Sequence, residues 1–142
     1  MNIKMFSIVY VTLILFMNSL YTGLEIYKHQ LREGWTNQDG VRSEAFSELT
    51  RLGDWTTAIE VSMTLLMFLV AIWVIKKQRA SIKALNYLNA AVVAAFIVLG
   101  YITSVIFDVP VGNAVQQLAG PAVITVGLLA YSCIAVFLNK RS

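Results

Sequence analysis

The sequence predicts an all-α membrane protein: a four-transmembrane-helix antiparallel bundle with a short amphipathic helix in the first external loop. Three observations carry this. Apolar residues make up 58% of the chain and charged residues 13%, against about 45–50% and about 25% in soluble domains, so lipid must cover it. Four apolar runs are each long enough to cross a bilayer, which takes about 20 helical residues. Seven of the eleven Lys and Arg residues (Lys4, Lys76, Lys77, Arg79, Lys83, Lys140, Arg141) fall in three short segments that hold no acidic residue, while all eight Asp and Glu lie elsewhere. Basic loops collect on the cytoplasmic side of polytopic proteins. Both termini and the 76–83 connection are therefore expected in the cytoplasm, with 28–54 and 108–113 outside. Four spans agree with both ends lying on one side. The 142 residues read as a single membrane domain, expected in the cytoplasmic membrane of a bacterium.

Helix one is expected over about 5–27. Its short basic start and apolar run look like a signal peptide, but Asn18-Ser19-Leu20-Tyr21-Thr22 offers no small-x-small cleavage site, so a retained helix is expected. The external amphipathic segment covers about 39–53. There Val41, Ala45, Leu49 and Leu52 recur at helical spacing among Arg42, Glu44, Glu48 and Arg51. Asp39 can cap its start and Gly53 can end it. Trp35 and Trp55 flank it at the height of interfacial aromatics, so it should lie on the outer face of the bundle or in the headgroup layer.

Helix two is expected over about 55–75, helix three over 84–107 and helix four over 114–138. Their β-branched stretches read as helix because every amide in lipid needs an internal partner. The short basic connection makes helices two and three antiparallel neighbours. Pro110 and Gly112 mark a tight turn between helices three and four. Ala90/Ala94, Ala91/Ala95, Gly120 and Gly127 permit close helix approach. Pro121 falls in the first turns of helix four, where a missing amide costs little.

The polar residues within the spans gather toward the external side. Asn18, Thr22, Glu25 and His29 share a face of helix one. Thr57, Glu60 and Thr64 share a face of helix two, with Glu60 about 7 Å below Trp55 at 1.5 Å rise per residue. Tyr101, Ser104 and Asp108 line up on helix three, and Asn113, Gln116 and Gln117 open helix four. The sequence thus predicts a polar pocket open to the outside, built from Asn18, Thr22, Glu25, Glu60, Thr64, Tyr101, Ser104, Asp108, Asn113 and Gln117, and closed inward by apolar packing. Glu60 stands out, because a carboxylate inside a span is costly and points to function by default.

The composition also excludes function classes. The lone Cys133 rules out an internal disulfide and paired-thiol chemistry. One His cannot hold a bis-histidine haem. No Gly-rich phosphate loop occurs, and no nucleophile–base spacing stands out. No basic patch is interleaved with aromatics, so nucleic acid is not an expected partner. Glu25 and His29, four apart, with Glu60 and Asp108 make a conceivable oxygen-rich metal site with one imidazole. Interfacial carboxylates are common, however, so neither a metal nor a cofactor is expected.

The segment Thr103-x6-Pro110-Val111-Gly112-Asn113-Ala114-Val115 resembles the turn between the last two helices of the anthrone-oxygenase-like family, small four-helix membrane proteins mostly of unknown function. Gly23 near the end of helix one, an amphipathic stretch around Phe46 and Leu49, and Trp55 opening helix two fit the same layout. Gly112 departs from it, standing where the family usually has its first Asn, and the Pro often found after helix one is missing. The resemblance implies a four-helix bundle and suggests that some relatives oxidise polycyclic aromatic substrates. It carries over Pro110 and Asn113 as turn residues and no catalytic role.

Three functions follow as expectations. The first is an accessory subunit or lipophile-binding membrane protein, whose partners are the bilayer, a lipophilic ligand and other membrane subunits. The second is an oxygenase-like membrane enzyme acting on a lipophilic substrate at the outer interface, with Glu25, His29 and Glu60 as acid–base or metal-binding candidates. The third is a small-solute or proton-coupled transporter. The sequence leaves open whether the protein is catalytic.

Overall fold

The computed structural model describes residues 3–36, 43–77 and 81–139. Over these residues the chain forms α1 (Ile3–Thr36), α2 (Ser43–Lys77), α3 (Ile82–Phe107), the short α4 (Val111–Val115), a 3-10 turn (Gln116–Leu118) and α5 (Ala119–Asn139). Four stretches are long and apolar enough to cross a membrane: Met5–Gly34, Phe46–Lys77, Ile82–Phe107 and Val111–Ala135. The protein is an all-α four-helix bundle integral to a lipid bilayer. One end carries Lys76, Lys77 and Lys83 and is called the basic end below; the other carries Glu25, Glu60 and Asp108 and is called the acidic end.

The packing runs α1 against α2, α2 against α5, α5 against α3, and α3 back against α1. α2 and α3 follow one another through the short basic connection, yet they touch little: α2 packs on α1 and α5, and α3 packs on α5. The apolar core fills the centre and the basic half: Tyr10, Ile14, Met63, Met67, Val70, Val74, Ile82, Leu85, Phe96 and Leu128 are buried together. Phe6 stacks over Tyr10 and packs on Trp73, with ring centroids 6.3 and 4.9 Å apart. Unbranched Met63 and Met67 fill the irregular centre of the bundle.

Two glycines set the close approaches. A Cβ on Gly120 would run into the side chain of Thr64, so α5 meets α2 there. A Cβ on Gly100 would come within 3.0 Å of the Ala114 carbonyl oxygen, which lets α4 settle on α3. Gly127 has open space, and Ala90, Ala91, Ala94 and Ala95 face outward from the bundle. These small residues therefore do not serve the contacts within the chain that their spacing suggested.

Helix ends differ from the sequence expectation in one informative place. The amphipathic segment is helical over 43–53, but it is continuous with α2 rather than separate from it. Gly53 is helical, and its carbonyl accepts hydroxyl hydrogen bonds from both Thr56 and Thr57 at 2.9 Å. Glycine ends a helix only by going left-handed, and nothing here drives it to do so. The expected cap at Asp39 lies outside the described residues. At the other turn the left-handed residue is Asp108, with φ 56° and ψ 22°, and not Gly112. Ser104 Oγ donates to the Val109 carbonyl at 2.6 Å, and the Pro110 carbonyl accepts from the Asn113 and Ala114 amides, which closes the turn.

At 1.5 Å per residue, the 34 residues of α1 and the 35 of α2 are each about 50 Å long. The hydrocarbon core takes only about 30 Å. Measured from the basic end, α1 leaves it near Glu25 and α2 near Thr57. The remaining third of each helix stands beyond the membrane at the acidic end, side by side. Leu52 and Thr56 are buried between them, and the Tyr27 hydroxyl donates to Glu48 Oε1 at 3.3 Å.

Candidate functional site

At the level where α1 and α2 leave the hydrocarbon, polar side chains from α1, α2 and α4 meet. Residues 18, 21 and 25 of α1 follow the 3–4 spacing of one helical face, and all three are buried: Asn18, Tyr21 and Glu25, the last only 4% exposed. Lys28, one turn further on, donates to Glu25 Oε1 at 2.6 Å and to Thr56 Oγ1 of α2 at 3.4 Å. Asn113 Nδ2 donates to the other carboxylate oxygen, Oε2, at 3.5 Å, and the Tyr21 hydroxyl donates to the Asn113 carbonyl at 3.0 Å. Deeper in the bundle, Gln117 Nε2 donates to Asn18 Oδ1 at 2.9 Å. Gln117 is 1% exposed, and its Oε1 has no partner. The Pro110 turn holds Asn113 in place, and the 3-10 turn after α4 brings Gln117 inward.

The structure thus brings together Asn18, Glu25, Asn113 and Gln117 from the set read in the sequence. Thr22 is half-buried at the edge of the same face. Glu60 is half-buried. Four residues take other roles. Tyr101 is 61% exposed and turns away from the bundle, where an aromatic with a polar tip suits the lipid–water boundary. Ser104 closes the turn described above. Thr64 donates to the Glu60 carbonyl one helical turn back and packs against Gly120. Asp108 is exposed as the left-handed end of α3.

Tyr21, Lys28 and Thr56 complete the cluster and were not singled out from the sequence. Tyr21 carried a legible signal, since it sits three residues after Asn18 and four before Glu25. Lys28 carries no such signal, because a cation at the outer end of a span is ordinary.

The metal-ligand set also changes. Glu25 is taken up by Lys28 and Asn113. His29 instead lies with Glu33 and Asp108, one donor atom of each within 4.8 Å of the others. His29 Nε2 is 3.5 Å from Glu33 Oε1. One imidazole and two carboxylates, the latter both exposed, could hold a borderline divalent cation such as zinc.

Among the described residues, three hollows open on the sides of the bundle. One of about 530 Å³ lies between α1 and α2 where they leave the hydrocarbon, lined by Leu20, Leu24, Arg51, Leu52, Trp55 and Ile59. One of about 300 Å³ lies between α2 and α5, lined by apolar groups that include Phe68, Ile72, Val123 and Gly127. The third, of about 480 Å³, lies between α3 and α5 at the basic end and includes Lys83, Asn86 and Ser132. Comparison with protein-family models, curated proteins and solved structures finds no match.

Proposed function

We propose that the protein is a non-catalytic membrane protein that binds a lipophile or serves a larger membrane assembly as an accessory subunit, with its termini in the cytoplasm. One contrast carries this reading. The polar groups buried at the acidic end are bonded to one another, whereas the α2–α5 hollow opens sideways at hydrocarbon depth and is lined almost wholly by apolar side chains. A catalytic carboxylate must be free to exchange a proton with substrate. Glu25 is instead held by an ammonium and an amide. The α2–α5 hollow suits an acyl chain or a neighbouring helix, and Gly127 leaves it room. Purification in mild detergent followed by native mass spectrometry tests this. The expected result is a retained lipid or subunit that Gly127→Leu displaces. A protein that emerges with neither would overturn the reading.

The donor set of His29, Glu33 and Asp108 favours a second reading, a metal-dependent enzyme of oxygenase type at the acidic end. That reading requires near-stoichiometric metal in the purified protein and its loss in His29→Ala.

A further inference from the structure

We propose that His29, Glu33 and Asp108 form a zinc site that ties the protruding part of α1 to the turn after α3. The inference does not rest on lipid binding, and it gives the ion no catalytic task.

The three donors come from two elements. His29 and Glu33 are four apart on α1 and share a face. Asp108 ends α3. They meet because α1 passes the α3–α4 turn at two levels. Nearer the bundle centre, Tyr21 and Glu25 are bonded to Asn113. His29 lies one helical turn further out than Glu25. There one ring nitrogen, one Glu33 oxygen and one Asp108 oxygen all fall within 4.8 Å of one another. That distance, and not exposure, places the imidazole at the site.

Two features of these residues favour a cation between them. His29 supplies the first. Both of its ring nitrogens are shielded from solvent, and among the described residues neither has a hydrogen-bond partner. A neutral imidazole carries one N–H and one lone pair, and burying both unpaired is costly. Coordination gives the lone pair a partner. Asp108 supplies the second. It stands at the C-terminal end of α3, where the helix dipole disfavours a carboxylate. A left-handed helix end usually takes Gly or Asn, and neither is charged. A cation in front of the Asp108 carboxylate offsets the repulsion, and His29 is the side chain placed to hold it.

Geometry and donor chemistry then choose the ion. With zinc–donor distances of about 2.0–2.2 Å, two donors of a tetrahedral site stand about 3.4 Å apart. His29 Nε2 and Glu33 Oε1 are 3.5 Å apart. The Asp108 oxygen has at most about 1.4 Å to close, a side-chain adjustment at an exposed turn. One imidazole with two carboxylates suits zinc, whereas magnesium and calcium favour oxygen alone. Water completes the tetrahedron. Glu33 and Asp108 are both exposed, so the ion enters from the aqueous side.

The test uses the untagged full-length protein in detergent, as Cys133→Ser, which removes the one free thiol that would compete for zinc. After loading and dialysis, elemental analysis should find near-stoichiometric zinc and no retained magnesium. Zinc should raise the melting temperature and slow amide exchange both in α1 beyond Glu25 and in the 108–114 turn. His29→Gln should lose the metal. Asp108→Asn keeps a residue suited to a left-handed helix end. It should weaken zinc about tenfold or more, since even groups that only orient a ligand are worth that much, and should lose the protection at the turn. Zinc that binds Asp108→Asn as tightly as the parent overturns the tie, and makes the ion an adventitious guest of the His29–Glu33 pair on α1. A parent protein that retains no zinc overturns the inference without any variant having to fold. That result also removes the metal-dependent enzyme reading and leaves the lipophile-binding one standing.

Discussion

Lys28 holds a charge that Glu25 cannot do without. Glu25 is buried at the mouth of the bundle, and Lys28 and Asn113 are its partners there. Removing one member of a buried pair leaves the other uncompensated, at about 3–5 kcal/mol. Lys28→Ala is therefore expected to lower stability by that order, and Glu25→Gln/Lys28→Met to recover most of it, as read by thermal unfolding in detergent. Asn18 and Gln117 pose a neutral version of the same problem. Asn18→Leu strands the Gln117 amide, whose Oε1 already lacks a partner, and should cost roughly 1–3 kcal/mol. Asn18→Leu/Gln117→Leu removes both halves and should cost less than Asn18→Leu alone. The face of α1 that carries this chemistry was legible from the spacing of Asn18 and Glu25. Asn113 and Gln117 were legible as members of the same pocket, but their pairing with Glu25 and Asn18 was not, because nothing local sets which side chain meets which. Only the fold of the Pro110 turn does so. Tyr101 misled for a related reason: a hydroxyl near a polar row suits a pocket and a membrane boundary equally.

Helix type and number followed from hydropathy alone, because lipid permits nothing else. Helix ends were harder to read. Gly53 looked like a stop, yet α2 runs through it with two threonine hydroxyls on its carbonyl. A helical glycine with open space around its Cα predicts that Gly53→Ala stabilises the protein by about 0.5–1 kcal/mol. A true terminator would instead be damaged, so thermal melting separates the two cases. Gly120 and Gly127 look alike in sequence and part company in space. Gly120→Ala forces a methyl group into the short, stiff Thr64 side chain and should cost about 1–3 kcal/mol. Gly127→Ala meets nothing and should melt near the parent temperature. The difference lies in which neighbour each faces, and a one-dimensional pattern of small residues cannot tell that.

At the level of the whole molecule, charge segregation predicts sidedness. In a Cys133→Ser background, Asp54→Cys is expected to react with a membrane-impermeant thiol reagent in intact cells, and Lys77→Cys only after the cytoplasmic face is opened. The opposite result would reverse the assignment of the acidic end to the outside.

The two helices that outrun the bilayer have a mechanical consequence. α1 is an unbroken rod, and the polar cluster grips it where it emerges from lipid. A sideways pull on its outer end is therefore converted into torque about that grip, with Tyr21 and Glu25 at the fulcrum. The first parts of the interior to feel such a load are Asn113 and, through Asn18, the side chain of Gln117.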